Sequence, residues 1–153
     1  YPFLSGKTYS VSGETFKSKF RLSAKPSIDG CFMEANSGVA FNPNYFGDYK
    51  KALREALGQM SDGYLVVGDG TLKTAIRHEF GHNVEAHIRL THSPKEMVVF
   101  ERELIDLSKT KGVSEYALTN SCEIFAEGFA AFESGEKTEF AEAFGVLLER
   151  WLK

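Results

Sequence analysis

Cysteine, proline, tryptophan and histidine are all scarce in this chain, at two, four, one and four among 153 residues. Two cysteines, Cys31 and Cys122, cannot form the thiolate cluster of a structural zinc site. Small buried thiols are the expected fate of both, and nothing in the sequence pairs them as a disulfide. A surplus of positive charge is also missing: 18 basic against 21 acidic side chains give a net charge of −3 and a pI near 5.8. No basic stripe exists to neutralise phosphates, so nucleic acid is not an expected partner. No apolar run approaches the length of a membrane span, and no signal peptide is recognisable. Repeats, low-complexity runs and linkers are absent as well, which makes residues 1–153 a single expected domain. At 42% hydrophobic residues it has enough apolar material for a core. The first residue is Tyr1 rather than methionine. A processed protein, or a domain excised from a longer polypeptide, is therefore expected, and localisation stays open. Thirteen phenylalanines and six tyrosines suit a core and a peptide groove equally.

Against that scarcity of histidine, two of the four stand in His78-Glu79-Phe80-Gly81-His82. On a helix, positions four apart lie one above the other, so His78 and His82 can grip one ion together. Glu79 projects about 100° around the helix from His78, where it can reach a metal-bound water without ligating. Two ligands and a general base on one turn are the mechanical content of the H-E-x-x-H pattern. The alternative is a solvated polar helix face. Helical context favours the metal: Leu72, Ala75, Ile76, Phe80, Val84 and Ile88 recur at three- and four-residue steps. Asp69 or Thr71 can serve as N-cap, and no proline interrupts residues 70–90.

A catalytic zinc site needs a third protein ligand and an open position for water. A third histidine six residues after the second is ruled out, because Ile88 stands there. His87 lies about 140° around the helix from His82. It and His92 read as ordinary surface or helix-end residues. The other route is a glutamate from a later helix. Residues 119–134 offer Asn120 or Ser121 as N-cap, an apolar stripe of Ile124, Phe125, Phe129 and Phe132, and Glu123 and Glu127 four apart. Carboxylates among apolar side chains need a cation or donors nearby. One metal ligand, Glu123, and one carboxylate that receives a histidine ring N–H, Glu127, account for the pair. Solvation of both on a polar face is the competing account. Gly128 lets this helix approach a neighbour closely.

Tyr116-Ala-Leu-Thr-Asn-Ser-Cys-Glu123-Ile-Phe-Ala-Glu127, following His-Glu-Phe-Gly-His, resembles the catalytic core of the anthrax lethal factor-like zinc metallopeptidases. It is similar also to the clostridial Pro-Pro endopeptidases that share that fold. In that family a tyrosine precedes the glutamate ligand by seven residues, and the glutamate opens an E-x-F-A-E helix. The resemblance covers residues 72–133. It implies a gluzincin with one catalytic zinc ion, His78, His82 and Glu123 as ligands, Glu79 as base and Tyr116 as electrophilic helper.

Along the chain, strands are expected first and helices afterwards. Cys31–Ala35 and Val39–Asn42 flank a hairpin signal at Asn36-Ser37-Gly38, and Tyr64-Leu-Val-Val67 between glycines reads as a buried strand. The expected class is α+β and zincin-like: a small twisted N-terminal sheet packed on the metal-binding helix, with a helical C-terminal half. A peptide substrate would lie against the sheet edge, for which Phe32, Glu34 and Asn36 are the candidates because the hairpin alternates better than 64–67. The expected function is a zinc-dependent endopeptidase acting on a protein or peptide. The alternative is a catalytically inactive zinc-binding or interaction domain of a phage or toxin polypeptide.

Overall fold

The computed structural model of the protein describes residues 31–34, 38–41 and 48–153. From residue 48 onward every regular element is helical. The helices are α1 (Tyr49–Ser61), α2 (Leu72–Thr91), α3 (Pro94–Leu107), α4 (Ser121–Glu133) and α5 (Glu139–Trp151), with a 3-10 turn at Tyr116–Thr119 before α4. Ahead of them, β1 (Cys31–Glu34) and β2 (Gly38–Phe41) form an antiparallel pair in which Phe32 faces Ala40 and Glu34 faces Gly38. Among the described residues no third strand joins that pair.

The expected α+β architecture is therefore corrected. Among the described residues the sheet is no more than the β1–β2 pair, which touches α2, and the continuous stretch from residue 48 is all helical. The strand anticipated at Tyr64–Val67 is a turn segment instead. It is bracketed by Gly63 at φ +79° and Gly68 at φ +58°, a backbone that reverses direction where a strand would run straight. Its amides are committed elsewhere. Those of Tyr64 and Leu65 donate to the Gln59 carbonyl at the end of α1, that of Val66 to Glu127, and that of Gly68 to Glu136. With the amides of Tyr64, Leu65 and Val66 so committed, the segment cannot donate to a regular ladder. A short apolar run cannot by itself distinguish a buried strand from a buried turn.

Helix boundaries follow local chemistry. Thr71 caps α2 by accepting from the Lys73 amide, and Asp69 in turn accepts from the Thr71 amide and hydroxyl. Ser93 and Glu96 form a reciprocal capping box at the start of α3, with Pro94 in its first turn. Asn120 accepts from the Glu123 amide and so fixes the start of α4. Gly135 at φ +77° breaks the chain between α4 and α5.

Helix α4 is the hub. Every residue from Ile124 to Ala131 is buried, which requires neighbours on all sides. α2 covers one side of it and α3 and α5 others. Their joint core holds Phe100, Phe125, Phe129, Phe140, Phe144 and Trp151. Phe125 meets Phe144 edge-on at 5.0 Å between centroids, and Phe100 meets Trp151 at 5.1 Å. Gly128 does allow a close approach, but to α5: an added Cβ would lie 2.3 Å from the Phe144 ring. A smaller cluster of Ala52, Ala56, Met60 and Leu72 fastens α1 to the start of α2.

Candidate metal centre

On α2 the face turned inward is not purely the apolar stripe read from the sequence. Leu72, Val84 and Ile88 are buried, but so are Thr74, His78, Gly81, Asn83 and Glu85. Gly81 explains the geometry. A Cβ there would stand 2.8 Å from the Ala126 Cα and 3.0 Å from the Phe129 Cβ, so α2 and α4 touch backbone to backbone at this level. That approach brings His78 and His82 of α2 against Glu123 and Glu127 of α4.

His78, His82 and Glu123 each turn one ligand atom toward a common point, all within 4.8 Å of one another. The His78 Nε2 lies 3.1 Å, and the His82 Nε2 3.4 Å, from the Glu123 Oε2. Donors about 2 Å from a tetrahedral zinc ion sit roughly 3.3 Å apart, so these spacings suit that ion. Glu123 Oε2 is buried and has no hydrogen-bond partner despite the two nearby rings. A buried carboxylate oxygen without a donor is costly unless a cation meets it. The donor set therefore fits zinc.

The other face of His78 is held by Glu127, whose Oε1 lies 2.7 Å from Nδ1. A carboxylate there accepts the Nδ1 proton, which leaves the Nε2 lone pair of the neutral ring for a metal. Glu127 is itself fixed: its Oε2 accepts from the Val66 amide at 2.8 Å and from the Ser114 hydroxyl at 2.6 Å. Two carboxylates on one imidazole make the site strongly cation-seeking. Burial disfavours a charged His78, but Glu123 and then Glu127 more than reverse this and raise its pKa to about 10. Burial likewise opposes ionisation of Glu123, while the His78 and His82 rings bring its pKa down to about 2. Such a pocket suits a cation, either a second proton on His78 or a metal ion.

Glu79 is half-buried, and its charge favours the protonated form of His78. Tyr116 stands in the 3-10 turn, its ring centroid 5.7 Å from that of His78 and 5.3 Å from that of Tyr64. Its amide donates to the Tyr64 carbonyl at 2.9 Å, and the Glu115 amide to the Gly63 carbonyl, so the loop before α4 is stitched to the turn after α1.

The structure thus brings His78, Glu79, His82, Tyr116, Glu123 and Glu127 into one neighbourhood. Phe32 and Glu34 belong to β1, and Asn36 lies outside the described residues. His87 and His92 stay out of the metal group. His92 instead sets its Nδ1 2.9 Å from the Ile88 carbonyl and its ring against Trp151. Cys122 is a free, half-buried thiol, its pKa raised by burial and by the adjacent Glu85. Sequence reasoning missed Ser114 and the Val66 amide, which belong to no motif. It passed over Gly81 as well, although a glycine between paired ligands on a helix was a readable sign of close packing. No protein-family model, curated protein or solved structure matches this chain.

Proposed function

We propose that this chain is a zinc-dependent endopeptidase domain. The convergence of His78, His82 and Glu123 on one point, with Glu127 fixing the proton of His78, is the observation that carries the reading. A zinc ion held by those three side chains would act as a Lewis acid, acidifying water to a pKa of about 7 and polarising a carbonyl. Glu79 takes the proton of the attacking water and passes it to the departing amine. Tyr116 donates to the oxygen that gains charge at the scissile carbonyl, where a preorganised donor contributes most. Glu127 keeps His78 in one tautomer and one orientation. The resemblance of these positions to the lethal factor-like metallopeptidases supports the same assignment. The substrate is a protein or peptide, and the acidic balance of the chain speaks against nucleic acid. Among the described residues no helix is long and apolar enough to cross a membrane.

The test is a cleavage profile of the zinc-loaded protein on a mixed peptide library, beside Glu79→Gln. Cleavage by the parent protein and none by the variant is the expected result. Zinc bound tightly with no cleavage of any peptide would reject the peptidase reading in favour of a zinc-binding interaction module.

A further inference from the structure

Three segments that are distant in sequence meet at Glu127. His78 comes from α2, Val66 from the turn after α1, and Ser114 from the loop before the 3-10 turn. Ser114 is 4% exposed and uses its hydroxyl in two directions. It donates to Glu127 Oε2 at 2.6 Å and accepts from the Ala117 amide at 3.2 Å. Ala117 is the neighbour of Tyr116. One hydroxyl therefore connects the carboxylate behind His78 to the turn that carries Tyr116.

We propose that Ser114 is a positioning residue of the metal centre, which sets the Glu127 carboxylate against His78 and, through the Ala117 amide, seats the turn bearing Tyr116. The inference rests on the hydrolase reading for its purpose, but the contacts themselves do not. A hydroxyl suits both tasks because it donates and accepts at once. Alanine does neither, and leaves Glu127 Oε2 with the Val66 amide alone. The carboxylate is then free to turn, and His78 loses its fixed direction. Partners of this kind behind a ligating histidine typically alter metal affinity ten- to a hundredfold, roughly.

The experiment compares the parent protein with Ser114→Ala, Ser114→Thr and Ser114→Cys. Zinc affinity is measured by competition with a chromophoric chelator. The His78 Nδ1 proton resonance is recorded by NMR with and without zinc, and thermal unfolding serves as a check on folding. Ser114→Ala is expected to weaken zinc binding about tenfold or more and to shift the His78 Nδ1 resonance. Ser114→Thr, which keeps the hydroxyl, should restore both. Mere loss of packing would lower the melting temperature without moving that resonance. If Ser114→Ala does not fold, Ser114→Cys supplies the comparison, as a weak donor of similar shape. A folded Ala or Cys variant with unchanged zinc affinity and an unmoved resonance overturns the proposal. A parent protein that binds no zinc refutes the hydrolase reading instead. In that event the resonance of the metal-free protein alone decides whether Ser114 positions His78.

Discussion

His78 is the side chain on which the site turns, because it is buried between two carboxylates and presents one ring nitrogen to each. His82 contributes the second imidazole on the same helix face, one turn on. His82→Ala leaves two ligands, and metal analysis should then show near-complete loss of zinc; stoichiometric metal in that variant would sink the ligand assignment. Glu79 ligates nothing in this scheme, so Glu79→Gln should keep zinc and fold while hydrolysis of a cleaved peptide disappears. Substantial turnover would mean that another group activates the water. Glu127→Gln retains the shape but weakens the acceptor for the Nδ1 proton. Its zinc dissociation constant should rise by roughly ten- to a hundredfold, measured against a chelator. An unchanged constant would strip Glu127 of its orienting role.

At the level of elements, α2 is set by its contact with α4 and by its N-terminal cap. Alanine is a better helix former than glycine by about 1 kcal/mol, so propensity alone would have Gly81→Ala stabilise α2. The backbone of Ala126 stands in the way at 2.8 Å, and forced separation of packed helices costs about 1–3 kcal/mol. The expected net result is a lower urea midpoint together with weaker zinc binding, since the proposed ligands sit on both helices. A raised midpoint would show that the contact yields easily. The cap carries a pH signature. Burial opposes ionisation of Asp69, but the hydroxyl of Thr71, then Arg77 and Thr74, together outweigh it and bring its pKa from 3.8 to about 2. A carboxylate depressed in the folded state stabilises fully above its unfolded pKa, and that contribution fades as pH falls from about 4 toward 2. Thermal unfolding across this range should therefore show the parent protein converging on Asp69→Asn as pH drops. A constant gap between the two would contradict the assignment.

Across the whole molecule, a metal held by the proposed ligands would tie together α2 and α4, which among the described residues make the largest packing interface. Anything bound only by the folded state stabilises it: ligand at a hundred times its dissociation constant contributes about 2.7 kcal/mol. For a domain of this size, that corresponds to a melting point higher by roughly 5–10 °C. Calorimetry with zinc, and again with excess chelator, should show the rise and its reversal, and His82→Ala should abolish the difference. A melting point indifferent to zinc in the parent protein would separate the metal from the fold.

Short-range pattern determined a good part of this protein from its sequence. The helix over 72–91 depends on contacts within a few residues, and so do the caps, where the structure takes Thr71 from the pair Asp69 or Thr71 and Asn120 from the pair Asn120 or Ser121. The i, i+4 pairs His78/His82 and Glu123/Glu127 were legible for the same reason, since a helix converts that spacing into one face. Which way those faces turned was decided only by tertiary structure. The apolar stripe of α2 did not say how deep the histidines lay, and the glycine contact at Gly81 places His78 within the core. Tyr64–Val67 carried the composition of a strand, yet the carbonyl of Gln59 and the carboxylates of Glu127 and Glu136 take the amides that a ladder would need. Ser114 had no pattern to announce it. Its role comes from a hydroxyl brought within 2.6 Å of Glu127 by a loop, and only the folded chain supplies that meeting.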